Sequence, residues 1–383
     1  MNSYPAPLLF VDHAAALGGA EHSLLMILER LDRAHWAPHL ACRPGSLAER
    51  AAALGIPVHL TPQPRLRRSL SALLDLGKGV RALAKVAHET DAKLLVANTV
   101  RAAFYAAPAA HLARIPFVWY RRDFWLGESQ PRLPWADTLV KALLGAASAR
   151  VIANSRATLR RHPLRRKIVV VPNGVQVQRY DPTLDGAPFR AAHGIPAAAP
   201  LLGMVGRLSP IKGQDRFLRV LAQALAKEPE VWGVIVGGPL FEQQDYEASL
   251  HRRAGELGIA ERVVFTGQLD DPRPALAALD VFVQPGDPEA FGLVNIEAMA
   301  MAKPVVAFAH GALPEIVVDG QTGTLAPPGD EAALAQATLA LLRDPALRAR
   351  MGMAGRRRVT RRFAVERTVR ALEAILAQLV PGD

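Results

Sequence analysis

Cysteine is almost absent from this chain of 383 residues, in which Cys42 is the one example. A lone cysteine cannot form an intrachain disulfide, so a disulfide-stabilised domain is excluded. Cys42 ends the apolar stretch 38–42, which predicts a buried structural thiol rather than a nucleophile. This usage is typical of a reducing compartment, and we expect a cytoplasmic location.

Long apolar runs are also missing. No segment reaches the ~20 apolar residues that span a bilayer, and Arg101, His111 and Arg114 interrupt the best candidate. Residues 1–5 lack the basic start and apolar core of a signal peptide. We therefore expect neither a membrane span nor a signal peptide.

Positive charge is plentiful, but only in one half of the chain. Residues 1–185 hold 25 Lys and Arg against 13 Asp and Glu, a net charge of +12, whereas residues 186–383 have a net charge of −1. This field favours an anionic partner such as a membrane or a phosphate-bearing acceptor, and a solvated basic face is the alternative. The basic run 356–362 has no aromatic ladder, so we interpret it as a solvated helix face and expect no nucleic-acid partner.

Short apolar strands alternate with helical stretches in two series. The first series predicts strands at 8–12, 37–42, 58–60, 94–97, 117–120, 151–153 and 168–171. The second predicts strands at 201–205, 231–236, 263–266, 281–283 and 305–308. Buried strands between helices are typical of a parallel sheet covered on both faces, so the pattern predicts two doubly wound α/β domains.

The predicted boundaries follow these series. We predict an N-terminal domain over residues 1–175, a polar linker over 176–198, a second domain over 199–360, and a C-terminal helix within 361–383 that packs back toward the N-terminal domain. Open α/β domains bind ligands at the carboxyl ends of their strands, so a cleft between two facing domains is the expected site.

The first motif follows a strand end in the second domain. Segment 203–213 reads GMVGRLSPIKG, with Arg207 in a loop and Lys212 where a helix begins. A planar guanidinium fork and a mobile ammonium beside a helix N-terminus predict a clamp for a diphosphate. A capped helix with exposed basic residues is the alternative interpretation.

The second motif places two carboxylates eight residues apart. Glu289 lies on a loop, and Glu297 interrupts an otherwise apolar helix face. Carboxylates accept hydrogen bonds from vicinal hydroxyls, so one can meet a sugar ring and the other a ribose. A carboxylate at position 297 is costly unless it is paired or bound. Gly292, at the helix start, permits close backbone approach.

These motifs resemble a known family. Segment 289–300 (EAFGLVNIEAMA) resembles the E-x7-E motif of family 4 glycosyltransferases, which are retaining enzymes of the GT-B fold, and segment 206–213 resembles their phosphate-binding Arg/Lys pair. Further matches in the family's order lie at 18–21 (GGAE), 172–175 (PNGV), 265–267 (FTG) and 311–317 (GALPEIV). The resemblance covers nearly the whole chain.

The resemblance implies a GT-B fold of two Rossmann-like domains facing across a cleft, and it implies roles for single residues. Arg207 and Lys212 would neutralise the donor diphosphate without a metal or cofactor, and Glu289 would contact the transferred sugar. Glu297 would hold the ribose. The expected donor contacts are Gly18, Gly19, Gly267, Gln268, Leu269, Phe291, Gly292, Leu293 and Glu297.

The implied function is retaining transfer of a sugar from a UDP- or GDP-sugar to a glycan, a lipid-linked acceptor or a small molecule, in polysaccharide biosynthesis. Attack on the front face, with the departing phosphate taking the acceptor proton, needs no enzymic nucleophile. A nucleotide-sugar epimerase of GT-B fold is the alternative enzyme, and a non-catalytic basic binding protein is the alternative from another class.

One departure from the family pattern concerns the first domain. Many relatives carry a histidine where this chain has Arg122 and Asp123. Arg122 is therefore a candidate for contact with the sugar or acceptor, with Asp123 orienting it, and His13 is a further candidate. A structural Arg–Asp pair is the alternative. The basic segments 64–70 and 160–167 are candidates for peripheral contact with an anionic membrane at its inner face.

Overall fold

Parallel strands and helices alternate along the chain in the computed structural model, which describes residues 4–64, 70–124, 134–159, 165–239 and 244–380. The described residues form two units. The first contains the chain up to Gly174 and from Val365 onwards, and the second is Val175–Ala364.

The first unit contains a seven-stranded parallel sheet of order β3-β2-β1-β4-β5-β6-β7. Its strands are β1 (Ala6–Val11), β2 (Trp36–Cys42), β3 (Val58–Leu60), β4 (Leu94–Ala97), β5 (Phe117–Arg121), β6 (Arg150–Ala153) and β7 (Ile168–Val170). Its first helices are α1 (Gly19–Arg30), α2 (Ser46–Ala53), α3 (Leu70–Glu89), α4 (Val100–Ala113) and α5 (Pro134–Ala147).

The second unit contains a six-stranded parallel sheet of order β10-β9-β8-β11-β12-β13. Its strands are β8 (Leu201–Val205), β9 (Trp232–Val236), β10 (Val263–Phe265), β11 (Val281–Gln284), β12 (Val305–Phe308) and β13 (Gly323–Ala326). Its helices are α6 (Ala187–Ala192), α7 (Gln214–Leu225), α8 (Gln244–Glu256), α9 (Arg273–Ala278), α10 (Leu293–Ala300), α11 (Leu313–Ile316), α12 (Glu331–Arg343) and α13 (Pro345–Arg362).

Helices cover both faces of each sheet, which explains why the strands are continuous apolar runs. In the first unit, α1 and α2 pack on one face, and α3, α4 and α5 pack on the other. In the second unit, α6, α9, α10, α11 and α13 share one face, and α7, α8 and α12 share the other.

The last helix, α14 (Val365–Leu379), belongs to the first unit. Its apolar side chains recur at helical spacing and pack beside α1 in the core of that unit. The chain leaves the first unit at Gly174, where an added Cβ would lie 2.4 Å from Val365 Cα. Only glycine permits this close approach between the departing and the returning backbone.

The strand order determines where loops can gather. In each sheet the chain first adds strands on one side of its opening strand and then on the other. The reversal falls between β1 and β4 in the first sheet and between β8 and β11 in the second. Loops after such strands diverge and leave a crevice at the carboxyl edge, which is where open α/β sheets bind ligands.

The predicted linker, 176–198, lies inside the second unit. Its composition is polar, but Phe189 and Ile195 are buried in the core of that unit. Gly186 packs against Ala278, whose Cα would lie 2.4 Å from an added Cβ. The extra strand β13 was not predicted, because its sequence of Gly323, Thr324, Leu325 and Ala326 is short and weakly apolar.

The basic run 356–362 is only partly a solvated helix face. Arg356 and Arg358 are half-buried on α13. Their guanidinium groups donate to the backbone carbonyls of Val177, Tyr180, Ala300, Glu315 and Ile316. These two arginines therefore tie loops of the second unit together, while Arg357, Arg361 and Arg362 are exposed.

The prediction of a buried thiol is confirmed. Cys42 is fully buried and free, and burial raises its pKa to about 12, so the thiolate needed for nucleophilic attack is disfavoured. Across the described residues, no helix combines the length and the apolar character that crossing a membrane requires.

Candidate functional site

Two loops meet at the carboxyl edge of the second sheet, where β8 and β11 are neighbours. They are the loop after β8, residues 206–213, and the loop after β11, residues 285–292. Gly213 has a φ of +77°, and an added Cβ would lie 2.6 Å from Pro285 O. A side chain at this position would force the loops apart, so glycine keeps the two predicted motifs in contact.

Lys212 and Glu289 form an ion pair between these loops. Lys212 Nζ lies 2.5 Å from Glu289 Oε1, and the two side chains are 26% and 15% exposed. Gln284, the last residue of β11, donates from Nε2 to the same oxygen at 3.2 Å. Gln284 Oε1 is buried and has no hydrogen-bond partner in the described part of the chain.

Arg207 is not part of this pair. Its side chain is exposed. Its backbone carbonyl accepts a hydrogen bond from Gln214 Nε2 at 2.9 Å. The fold fixes the backbone of the loop while leaving the guanidinium in solvent. Of the two residues in the predicted clamp, Lys212 is held in place by side-chain contacts and Arg207 is exposed.

The backbone around Glu289 is tightly constrained. Ala312 N–H donates to Glu289 O at 2.9 Å, and a Cβ on Gly311, whose φ is +56°, would lie 2.5 Å from the same oxygen. Gly292 precedes α10 with a φ of +85°. The Phe291 side chain is buried in the core and Leu293 is partly buried against it, so at these two positions the backbone is the polar element.

Glu297 lies on α10 and is partly buried. Burial raises its pKa to about 7, and a hydrogen bond with Tyr180 opposes that increase. Burial and the charge of Glu297 also raise the pKa of Tyr180. The carboxylate on an apolar helix therefore has the partner that its burial requires, and the partner comes from the stretch predicted to be a linker.

Residues 267–269 border the end of β9. Gly267 has a φ of +68° and accepts from Gly237 N–H at 2.9 Å. Gln268 packs on Gly238, where an added Cβ would lie 3.3 Å from Gln268 N. Leu269 packs against the core. These contacts hold the segment at the same carboxyl edge as Lys212 and Glu289.

The first unit has its own polar cluster at the carboxyl edge, next to the loop that carries Gly18 and Gly19. Glu21 Oε2 accepts from Gly18 N–H at 2.8 Å. Burial and the charge of Asp12 raise the pKa of Glu21 to about 7. His13 Nδ1 lies 2.8 Å from Thr99 Oγ1, so this candidate histidine is held by the N-cap of α4.

Arg122 is buried, with 4% exposure. Its guanidinium contacts Asn98, Ser23 and Asn173. Asp123, which was expected to orient it, is not among these partners. Burial raises the pKa of Asp123 to about 6, and the charge of Arg121 opposes that increase. Neutral acceptors bond to Nε and Nη1 of Arg122, and its buried Nη2 has no hydrogen-bond partner among the described residues.

Metal sites were not expected. Among the residues that the structure describes, no group of three or more His, Cys, Asp or Glu has a metal-binding arrangement. Residues 65–69 and 160–164, which hold most of the two basic segments, lie outside the described residues.

Comparison with known proteins identifies the family. Residues 187–358 match the model for "Glycosyl transferases group 1", and residues 17–179 match "Glycosyltransferase Family 4". HepE of Anabaena, solved in complex with UDP-glucose, is 30% identical; the likeness covers 97% of this chain and 100% of HepE, with a TM-score of 0.84. The chain belongs to the family 4 (group 1) glycosyltransferases. Its two Rossmann-like units confirm the predicted GT-B fold.

Curated relatives of this glycosyltransferase match over part of their length. The D-inositol 3-phosphate glycosyltransferase of Streptomyces avermitilis is 37% identical over 243 residues, which are 61% of this chain and 52% of the relative. The GDP-mannose-dependent alpha-(1-6)-phosphatidylinositol monomannoside mannosyltransferase of Mycolicibacterium smegmatis is 39% identical over 196 residues, 49% and 50% of the two chains. The chain thus spans about half the length of these two relatives.

Sequence reasoning missed several polar residues of the glycosyltransferase that the fold brings to these edges. Gln284 ends β11, Asp12 follows β1 and Asn98 follows β4. Each is a polar residue directly after an apolar strand, which is a signal that the sequence contains. Tyr180 carries no such signal, because only the packing of the second unit brings it to Glu297.

Ionisation of Glu297 predicts a pH-dependent stability. Its pKa is about 7 in the folded enzyme and near the usual 4.5 in the unfolded chain. Between these pH values the folded state keeps a proton that the unfolded chain has lost, so the free energy of unfolding falls as pH rises. Glu297→Gln removes this contribution. We expect its Tm to fall less between pH 5 and pH 8 than that of the wild type, by about 2 °C or more.

Differential scanning calorimetry across this pH range measures the effect. Glu230→Gln is the matched control, because Glu230 is exposed, and its Tm profile should follow the wild type. A Glu297→Gln profile parallel to that of the wild type would contradict the burial of an ionisable Glu297.

Proposed function

We propose that this family member is a retaining, metal-independent glycosyltransferase that moves a sugar from a UDP- or GDP-sugar to a glycan, a lipid-linked acceptor or a small molecule. The observation that carries the proposal is the Lys212–Glu289 pair at the adjoining ends of β8 and β11, with 2.5 Å between Nζ and Oε1. Lys212 is a cation that can bind phosphate, and Glu289 is an acceptor for sugar hydroxyls. The two lie side by side, as the bond between diphosphate and sugar in the donor requires.

Lys212 exchanges partners when a donor binds. In the structure, its ammonium bonds to Glu289. A diphosphate carries more negative charge than one carboxylate, so it takes over the ammonium and leaves Glu289 Oε1 to accept a sugar hydroxyl. Arg207, which is exposed at the same loop, adds a planar fork for the phosphate oxygens.

The remaining donor contacts follow from the second unit. Glu297 accepts hydrogen bonds from the ribose hydroxyls, and its hydrogen bond with Tyr180 orients the carboxyl group. Residues 267–269 border the base. Backbone N–H groups of Phe291, Gly292 and Leu293 contact the sugar and phosphate at the start of α10.

The proposed transfer breaks the bond between the anomeric carbon and the diphosphate oxygen, and it forms a bond to the acceptor oxygen on the same face. The departing phosphate oxygen takes the acceptor's proton. Arg207 and Lys212 stabilise the charge that develops on the diphosphate, and Glu289 aligns the sugar. No side chain is required as a nucleophile. Arg207 and Lys212 neutralise the diphosphate charge, so no metal ion is required for that purpose.

The names of relatives support a test with both nucleotides. HepE was solved with UDP-glucose, and the Mycolicibacterium relative is named for GDP-mannose. Incubation with a panel of UDP- and GDP-sugars distinguishes the proposal from the epimerase alternative. Transfer, or slow hydrolysis of a donor, supports a transferase, whereas interconverted sugar nucleotides would support an epimerase.

Lys212→Ala should weaken binding of UDP or GDP by about ten- to hundredfold, because a charge-assisted hydrogen bond to phosphate is lost. Isothermal titration calorimetry measures the affinity. Lys227→Ala is the matched control, since Lys227 is an exposed lysine just after α7, and it should bind like the wild type. Equal affinities of Lys212→Ala and the control would remove Lys212 from the clamp.

Glu289→Ala should slow transfer by about a hundredfold or more while leaving the Tm nearly unchanged, because the side chain aligns the sugar and is not needed for folding. Lys212, 26% exposed, then remains hydrated. Glu289→Gln keeps an acceptor oxygen and should be less impaired. Initial rates measured in EDTA also test metal independence.

Two results would contradict these assignments. Unchanged turnover in Glu289→Ala would exclude its contact with the sugar. A strict requirement for a divalent cation would exclude charge neutralisation by Arg207 and Lys212 alone.

An exposed apolar stripe on α5 supports the predicted contact with an anionic membrane. Trp135, Leu139 and Leu143 are 69%, 51% and 61% exposed, and their four-residue spacing puts them on one helix face. The same helical layer includes α3, whose described side chains are exposed at Leu73, Leu74, Lys78, Arg81, Lys85, His88 and Glu89. Apolar side chains bordered by cations fit an anionic bilayer surface. We propose a cytoplasmic enzyme of polysaccharide biosynthesis that works at the inner membrane face.

Replacing Trp135, Leu139 and Leu143 by serine should reduce binding to phosphatidylglycerol vesicles by about tenfold or more, measured by co-sedimentation. Wild-type binding should weaken in high salt and be absent with phosphatidylcholine vesicles. Met353→Ser is the control, because Met353 is an exposed apolar residue, 46% exposed, on α13 of the other unit. Equal vesicle binding by the triple variant and the control would exclude α5 as the membrane surface.

A further inference from the structure

Arg122 occupies the carboxyl edge of the first sheet, immediately after β5, and its guanidinium connects three separate parts of the unit. Nε donates to Asn98 Oδ1 at 2.5 Å, and Nη1 donates to Ser23 Oγ and to Asn173 Oδ1, both at 2.6 Å. The guanidinium also lies over the ring of Tyr120, with Cζ 3.7 Å from the ring centre. Stacking and hydrogen bonds leave this side chain one orientation.

Asn98 extends the contact to the start of α1. Its Oδ1 accepts from Arg122, so its Nδ2 is the donor on the other side. Nδ2 donates to Asp12 Oδ2 at 2.6 Å and to Ala20 O at 3.3 Å. The first turns of α1 are therefore attached to Arg122 twice, directly through Ser23 and indirectly through Ala20.

The same turn carries the glycine loop. Gly18 precedes α1, and its N–H donates to Glu21 Oε2 at 2.8 Å. Neither Gly18 nor Gly19 has a side chain that could anchor the loop. Its position therefore depends on the helix that follows, whose apolar side chains pack in the core and whose first turns are held by the contacts of Ala20, Glu21 and Ser23.

Arg122 also balances charge beneath the loop. Asp12 and Glu21 are both buried, and burial raises the pKa of each carboxyl group. The charge of Arg122 lowers the pKa of Asp12. Burial lowers the pKa of Arg122 itself, and the charges of Tyr120, Asp12 and Glu21 oppose that decrease. The titratable groups that face one another in this cluster are Asp12, His13, Glu21, Cys42, Tyr120, Arg121, Arg122 and Asp123.

We propose that Arg122 is a positioning residue for the transfer reaction: acting through Ser23, Asn98 and the first turn of α1, it holds the Gly18–Gly19 loop in its working position. This positioning role replaces the prediction that Arg122 contacts the sugar or the acceptor directly. The inference rests on the proposed function, because it takes the glycine loop to approach the donor phosphates.

Three variants separate positioning from charge balance. Arg122→Lys keeps the charge but loses the fork, Arg122→Met loses both, and Ser23→Ala removes one direct contact with α1. We expect kcat to fall by about ten- to hundredfold in Arg122→Lys and further in Arg122→Met, with a smaller loss in Ser23→Ala. Arg370→Lys and Arg370→Met are the controls, since Arg370 is exposed on α14, and they should match the wild type.

Two further measurements distinguish positioning from a purely structural role. They are the pH profile of kcat/KM and the kcat of a double variant. Loss of the guanidinium charge favours protonation of Asp12 and Glu21, so the acidic limb of kcat/KM should move to higher pH in Arg122→Met. Arg122→Met combined with Glu21→Gln removes one buried carboxylate and should recover Tm, but kcat should stay low because the tie to α1 is still missing.

Hydrogen exchange of residues 14–24 reports the position of the loop without any turnover. Exchange should be faster in Arg122→Lys and Ser23→Ala than in the Arg370 controls. Wild-type kcat in folded Arg122→Lys, or recovery of kcat together with Tm in the double variant, would overturn the positioning role. Absence of sugar transfer and donor hydrolysis in the wild-type enzyme would instead overturn the proposed function, and the exchange result would stand by itself.

Discussion

The close backbone approach of the loops after β8 and β11 is the constraint on which the candidate donor site depends. Gly213 has a φ of +77°, and a Cβ there would lie 2.6 Å from Pro285 O on the opposing loop. Gly311, in the loop after β12, also has a positive φ, and a Cβ there would lie 2.5 Å from Glu289 O. Because no side chains separate the loops, Lys212 reaches Glu289. The charge arrangement is thus a consequence of backbone packing, which in turn follows from the reversal of strand order at this edge.

Both units contain buried carboxylates. Burying such a group costs free energy, and the two units compensate that cost with different partners. Glu297 relies on one neutral hydroxyl, that of Tyr180, and its pKa rises to about 7. Glu21 accepts a backbone N–H and lies near a second carboxylate, and its pKa also rises to about 7. Among the described residues, neither group has a direct ion-pair partner. Each is therefore ready to exchange its weak partner or its proton, in contrast to Glu289, which has a cation in contact.

Much of the architecture was predictable because buried parallel strands are apolar along their whole length. All the predicted strands are present within one or two residues of their bounds. The stretch predicted as a linker lies in the second unit for a physical reason: Phe189 and Ile195 are two apolar side chains among polar ones, and a few buried anchors suffice to attach a short segment to a core. The same reasoning explains Arg356, whose charge predicts solvent but whose guanidinium satisfies backbone carbonyls.

The two doubly wound units, the family, and the segments that carry Arg207, Lys212, Glu289 and Glu297 follow from the sequence alone, because strand periodicity and motif spacing are local properties. Which side chains meet depends on the tertiary structure. It paired Lys212 with Glu289 while leaving Arg207 exposed. It also turned Arg122 inward to neutral partners, because a guanidinium takes the acceptors that neighbouring strand ends and helices bring within reach, and these are distant in the sequence.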